Sequence, residues 1–166
     1  MGWLARHRHK RGFGVHSPLA FRFIKDCLCE KTPYYDYTSL RKDQRLLYRL
    51  AAWLQPGQIT ALGSADARPA TMACPPKDKR KASPWTGLDQ VSLAVADARG
   101  GVGEAVAAIS QGSAVYITNC TKADRAALCA AIDSSAHGQT FSNRSGTLIA
   151  LPFPGLTPQH FDVAFP

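Results

Sequence analysis

The sequence has no apolar run close to the roughly 18 residues that a membrane-spanning helix requires. The segment from Met1 to Gly14 is basic, but no apolar stretch follows it as one does in a secretory signal peptide. We therefore expect a cytoplasmic protein that makes no contact with a membrane.

Paired cysteines are also missing. The five cysteines are an odd number, and none of them has a partner at C-x-x-C spacing. We therefore expect neither a disulfide framework nor a metal site. No Ser, His and Asp set and no pair of carboxylates can be assembled from the sequence either, so the catalytic residues are unknown.

Acidic residues are scarce, because 12 Asp and Glu stand against 20 Lys and Arg, giving a formal net charge of +8. Two basic clusters stand out: Arg6, Arg8, Lys10 and Arg11 near the start, and Lys77, Lys79, Arg80 and Lys81 in a proline-bounded loop. Such clusters hold phosphates in a salt-sensitive, sequence-independent way, so RNA or another polyanion is one candidate partner. The other interpretation is a solvated arm and loop without a partner.

What the sequence does contain is an alternation of helical and strand patterns, over a length and a 45% hydrophobic content that fit one domain, 1–166. The predicted helices are 18–29, about 40–54 with Thr38 or Ser39 as its cap, about 101–110, and 122–132. The predicted strands are 59–62, 91–96, 113–118, 139–142, 147–151 and 161–165, with at most one more around Thr71–Cys74 in the irregular segment 64–88.

This order of elements predicts an α/β protein with a layered, mostly parallel sheet, because strands that alternate with helices pair in parallel. The last strands have only short connections, which predict hairpin pairing and an antiparallel strand at the C-terminal edge. The apolar stripes of the first two helices predict that they pack on the sheet.

Two N-terminal motifs are unusual. Arg-Gly-Phe-Gly-Val-His-Ser-Pro begins at Arg11, and Lys-Thr-Pro-Tyr-Tyr-Asp-Tyr begins at Lys31. Ser17 and Pro18 suit a helix cap and a first helical position, but that role does not require Gly14 or His16.

These motifs, together with Ser-Gly-Thr-Leu-Ile-Ala-Leu at 145–151 and the segment 157–165, resemble a bacterial family of class I S-adenosylmethionine-dependent methyltransferases. The resemblance covers roughly residues 10–63 and 90–165. It implies a three-layer Rossmann-like fold and S-adenosylmethionine as cofactor.

By this resemblance, the first strand ends in the turn that wraps the methionine part of the cofactor. Gly63 and Ser64 keep that turn, but Ala65 and Asp66 stand where a second glycine is expected. Asp97 follows the strand that corresponds to the family's fourth and faces the cofactor cleft. Gly63, Ser64, Asp66 and Asp97 are thus the candidate cofactor-binding residues, and a plain strand-ending glycine is the alternative for Gly63.

The segment 64–88 leaves little room for the two strands and their helices that should enclose the adenosine. A second pattern, Asp97-Ala-Arg-Gly-Gly-Val-Gly103, follows a strand and opens a helix, so either it binds an anion or it is an ordinary loop. The third glycine of the full fingerprint is replaced by Val106.

Four residues are candidates for the substrate cleft: His16, Tyr34, Tyr35 and Asn119. The resemblance places N-terminal helices over the active site, and Asn119 ends the strand that corresponds to the fifth. A hydrogen-bonded histidine at a helix start, and tyrosines packed between helices, are the structural alternatives.

The sequence thus predicts a methyltransferase-like protein in which cofactor binding is weakened or lost. Its alternatives are an active methyltransferase of unknown substrate, a basic polyanion-binding module, and a protein-interaction module that uses the old cleft or the sheet edge.

Overall fold

The computed structural model describes residues 17–31, 39–74 and 91–165. The predicted cleft residues His16, Tyr34 and Tyr35 lie outside these ranges, as do both basic clusters. No helix in the part of the chain that is described is long and apolar enough to cross a membrane.

The first helix begins where Ser17 and Pro18 predict. α1 spans Pro18–Phe23, and Ser17 Oγ accepts a hydrogen bond from the backbone N of Ala20 at 3.3 Å. The helix continues as a π-helical turn over Ile24–Leu28. The predicted serine cap is therefore confirmed.

The second helix, α2, spans Lys42–Leu54. The sequence predicted Thr38 or Ser39 as its cap, but the structure places Arg41 at the capping position. The backbone N of Arg41 donates to Gln44 Oε1 at 2.9 Å, so a glutamine side chain inside the helix satisfies the donor that precedes its first turn.

A short helix occupies the position where the sequence predicts at most a strand. α3 spans Arg68–Met72 and includes Thr71. The backbone N of Arg68 donates to Asp66 Oδ1 at 3.1 Å, and Pro69 lies in the first turn, where a missing N–H leaves nothing unsatisfied. The strand prediction around Thr71–Cys74 is wrong because proline here starts a helix.

The remaining elements alternate as predicted. The helices are α4 (Ala98–Ser110) and α5 (Lys122–Ser134), and the strands are β1 (Gln58–Leu62), β2 (Ser92–Asp97), β3 (Ala114–Thr118), β4 (Gln139–Ser142), β5 (Leu148–Leu151) and β6 (Gln159–Asp162). These six strands form one sheet in the order β1-β2-β3-β5-β4-β6.

The sheet is mostly parallel, as predicted, and β5 is its antiparallel strand. β5 pairs with β3 on one side and with β4 on the other, so it lies inside the sheet. The hairpin expected from the short connection is the β4–β5 pair. The last strand, β6, begins at Gln159 instead of Phe161 and pairs with β4 in parallel.

Helices cover both faces of the sheet, which gives the expected three layers. On β2, Leu93 and Val95 face the core that α1, α2 and α3 cover, whereas Ala94 and Ala96 face the core of α4 and α5. The prediction that the N-terminal helices pack on the sheet is confirmed: the ring of Phe23 in α1 lies 4.6 Å from that of Phe141 in β4.

Candidate functional site

Four of the sequence-predicted residues meet at the carboxyl edge of the sheet. Gly63 and Ser64 follow β1, Asp97 ends β2, and Asn119 follows β3. Because these three strands are parallel neighbours, their carboxyl ends lie side by side. This edge is where open α/β sheets bind their ligands.

The turn after β1 requires glycine for its backbone conformation. Gly63 has φ +61°, and a Cβ added there would meet no atom within 4 Å. No neighbouring group of the protein is therefore close enough to exclude a side chain at this position. The glycine suits a strand-ending turn, and it leaves open space above the edge.

Asp97 is fully engaged by groups of the protein. Its Oδ1 accepts from the backbone N and the Nε of Arg99 at 3.0 and 3.2 Å, and its Oδ2 accepts from Arg99 Nη2 and Asn119 Nδ2 at 3.0 and 2.8 Å. A carboxylate has about four acceptor positions. The hydrogen bond from Arg99, reinforced by that from Asn119, holds the pKa of Asp97 below its usual value.

Asp66 is engaged in the same way after β1. Its Oδ1 accepts from the backbone N and the Nε of Arg68 at 3.1 and 2.9 Å, and its Oδ2 accepts from Arg68 Nη2 and Gln44 Nε2 at 2.9 and 3.3 Å. Hydrogen bonding to Arg68 lowers the pKa of Asp66 to about 2. Both carboxylates therefore remain ionised at neutral pH.

The two aspartates belong to a repeat that sequence analysis missed. Ala-Asp-Ala-Arg occurs at 65–68, between β1 and the start of α3, and again at 96–99, across the junction of β2 and α4. In both copies the carboxylate accepts from the backbone N and from the guanidinium of the arginine two residues later. The repeated tetrapeptide at the ends of two neighbouring strands was the signal available in the sequence.

Asn119 connects the β2 and β3 ends of this edge. It has φ +60°, a left-handed conformation that asparagine adopts more readily than most residues, and its amide reaches Asp97. The backbone N of Cys120 then donates to Gly146 O at 2.8 Å, which ties the β4–β5 connection to the same edge. Burial raises the pKa of the Cys120 thiol to about 11, so this cysteine is not a thiolate nucleophile at neutral pH.

Packing does not require glycine at any position of the run at the start of α4. A Cβ at Gly101 would lie 3.5 Å from Ala96 Cβ and 3.7 Å from Leu62 O, whereas Gly100 and Gly103 have nothing within 4 Å. Asp97 occupies the capping position in front of these glycines. The segment is not a loop, because β2 passes directly into α4 at Ala98, and the negative charge of Asp97 at this helix start disfavours an anion there.

A separate groove of ≈ 420 Å³ lies over β1 and β2 beside α4. Gln58 and Thr60 of β1 line it, together with Ser92 of β2 and Glu104 and Gln111 of α4. The alternating sequence Gln-Ile-Thr-Ala-Leu of β1 is typical of a strand with one solvated face. The groove itself depends on how α4 packs beside β1 and β2, which the sequence does not show.

No three His, Cys, Asp or Glu side chains among the described residues are placed to hold a metal ion together. No family model matches the sequence, and neither curated proteins nor solved structures provide a match.

Proposed function

We propose that the chain is a methyltransferase-like domain in which binding of S-adenosylmethionine is weakened or lost. The observation that carries the proposal is the state of its two candidate cofactor-binding carboxylates. All four oxygens of Asp66 and Asp97 accept hydrogen bonds from the protein itself.

A nucleoside cofactor needs fixed acceptors for its ribose hydroxyls. Loss of one such hydrogen-bonding group typically costs about 1–3 kcal/mol, or roughly five- to 150-fold in affinity. To serve as acceptors here, Asp66 or Asp97 has to release an arginine or an amide. Exposed ion pairs are worth only about 0–1 kcal/mol, so this competition weakens binding without preventing it.

The surroundings of β1 and β2 support a loss of cofactor binding and not only a weakening of it. The resemblance makes β2 the fourth strand, which is the neighbour of the first in a Rossmann-like sheet, and β2 does pair with β1 along its length. β1 is the last of the six strands on its side, with no second or third strand beyond it among the described residues. Among the residues described between these two strands, 63–74, the only helix is the five-residue α3 and there is no strand. The described segment thus supplies neither an enclosing strand nor a further acidic residue after Asp66.

Calorimetric titration with S-adenosylmethionine and with its demethylated product tests the proposal. We expect no detectable heat at micromolar protein and ligand concentrations. A cooperative thermal melt of the same sample shows that the protein is folded during the titration.

Micromolar binding would contradict the proposal. If Asp97→Asn then weakened that binding while Asp124→Asn left it unchanged, the active-methyltransferase alternative would be supported. Asp124 is a suitable control because its carboxylate is also hydrogen-bonded at a helix start, after β3 and to Thr121.

A further inference from the structure

The outer side of β1 is an open strand edge in the part of the chain that the structure describes. The sheet order places β2 on one side of β1 and no described strand on the other. An edge strand presents a row of backbone N–H and C=O groups with which a further strand can pair. Charged residues and proline commonly block such pairing, and the five residues of β1, Gln58–Leu62, include neither. This edge is therefore receptive to an added strand.

The opposite edge of the sheet is built differently. β6 follows Pro158 directly and carries the ionisable side chains of His160 and Asp162. Proline and charge are the devices that keep an edge strand from pairing with other chains. Of the two edges, β1 is thus the one suited to accept a partner.

The groove beside β1 gives this edge a means of distinguishing side chains. Gln58, Thr60 and Leu62 line the groove, and they are the first, third and fifth residues of the strand. The groove therefore follows the whole of β1. Side chains of an added strand alternate between the two faces of the sheet, so every second one would lie beside the groove.

Glu104 on α4 supplies the charge of the groove. It is exposed, and among the described residues that line the groove it is the one with a charged side chain. The other charged side chain of α4, Arg99, is paired with Asp97 at 3.0 Å, whereas no ion pair joins Glu104 to any described residue. A carboxylate in this position complements an ammonium or guanidinium group.

We propose that the outer edge of β1 binds an extended segment of a partner protein as an added strand, and that Glu104 selects a segment with lysine or arginine in the groove. In this mode of recognition main-chain hydrogen bonds supply affinity, and alternate side chains supply specificity. The site is the outer edge of β1 and not the carboxyl edge of the sheet, so the inference goes beyond the proposed function and does not depend on it.

A second copy of the chain fits this edge less well than a basic peptide does. Two β1 strands can pair antiparallel about Thr60, but β1 contains no lysine or arginine to meet Glu104. The formal charge of +8 on each chain also opposes self-association. A basic peptide meets repulsion from the same charge, but it brings a counter-charge for Glu104.

Nitrogen-15 NMR of the full chain tests the proposal during titration with the end-blocked peptide Thr-Val-Lys-Val-Thr and with its glutamine version, Thr-Val-Gln-Val-Thr. We expect saturable shifts of the backbone amides of β1 and Glu104. The lysine peptide should bind roughly threefold more tightly, the size expected for an ion pair at a protein surface. Methylation of every peptide N–H should abolish binding, because it removes the donors that pair with a strand edge.

Glu104→Gln separates the two parts of the proposal. It should remove the preference for the lysine peptide and leave the affinity for the glutamine peptide unchanged. The matched control is Asp26→Asn, which removes a carboxylate from the π-helical turn on the other face of the sheet and should keep the preference. Thermal melts confirm that both variants are folded.

Absence of a saturable shift at millimolar peptide, shifts confined to residues away from β1, or a preference that survives Glu104→Gln would each overturn the proposal. Sedimentation that shows a dimer, dissociated by the peptide, would overturn it too and assign the edge to a second copy. Titration with S-adenosylmethionine is independent of these results, so either proposal can fail while the other stands.

Discussion

At one end of the sheet every residue of β5 is buried, and Phe141 of β4 packs between Phe23 and Phe161 with ring centroids 4.6 and 5.2 Å away. At the other end, Gln58, Thr60 and Ala61 of β1 are exposed. β2 and β3 lie between these two ends of the sheet. The β5-β4-β6 end is therefore the densely packed end of the sheet, whereas the β1 end is exposed and borders only part of the candidate site.

A polar contact reinforces the densely packed end. His160 on β6 lies with Nδ1 2.8 Å from Thr140 Oγ1 on β4 and with Nε2 3.1 Å from Asp133 Oδ1 on α5. One side chain thus joins three elements. Near the β1 end, the polar side-chain contacts between elements are single bonds, from Gln44 to Asp66 and from Asn119 to Asp97.

Among the changes that test the difference in packing between the two ends of the sheet, removal of the Phe141 ring should have the largest effect on stability. Phe141→Ala should lower the free energy of unfolding by about 3–5 kcal/mol, because it leaves a cavity between two aromatic rings. Urea denaturation measures the change. Phe21→Ala is the control, since Phe21 is 41% exposed, and it should change stability by less than about 0.5 kcal/mol. Similar losses for both variants would contradict the contrast.

Two glycines with positive φ, one at each end, give a finer comparison. At Gly138 (φ +114°) an added Cβ would lie 2.8 Å from both Leu151 O and Pro152 Cα, whereas at Gly63 it would meet nothing within 4 Å. Gly138→Ala should cost about 3 kcal/mol, from backbone strain together with overpacking. Gly63→Ala should cost about 1 kcal/mol, from backbone strain alone. Denaturation midpoints check both values, and equal costs would show that the turn after β1 is packed more tightly than described.

The smallest expected effect is electrostatic and concerns Asp66. Its pKa of about 2 lies below the ordinary 3.8, so the contact with Arg68 stabilises the fold above pH 3.8 and this contribution is lost as the pH falls towards 2. Arg68→Gln should raise the pKa of Asp66 towards its ordinary value in a carbon-13 carboxyl titration. The stability change at neutral pH should be small, because Arg68 is exposed and the ion pair is screened by solvent.

Asp124 is the internal control in the same titration, because its pKa is lowered by Thr121 and not by an arginine. It should not respond to Arg68→Gln. An unchanged pKa of Asp66 in that variant would mean that the Asp66–Arg68 contact does not persist in solution.

Local signals in the sequence predicted much of the fold. Ser17 and Pro18 predicted the start of α1, and the apolar run before Asp97 predicted the position of that carboxylate at a strand end. α3 was missed because the proline-containing segment 64–88 lacks helical periodicity, whereas the contact between Asp66 and Arg68 just before Pro69 marks a helix start.

The contacts within the candidate site were harder to predict, because they cross between elements. The bond from Asn119 to Asp97 depends on the register that places Thr118 beside Asp97, and the bond from Gln44 to Asp66 depends on how α2 packs. The insertion of β5 between β3 and β4 likewise follows from long-range pairing and not from loop length. Only the repeated Ala-Asp-Ala-Arg was a local signal left unused.

The position of β5 also constrains the order in which the sheet can be assembled during synthesis. β4 is made before both of its neighbours, β5 and β6, and β3 gains its second neighbour only with β5. Until residue 151 has left the ribosome, the edge of β3 is open and β4 has no strand to pair with. Unpaired strand edges recruit other chains, so nascent chains that stall between 118 and 148 are the form of this protein most exposed to aggregation.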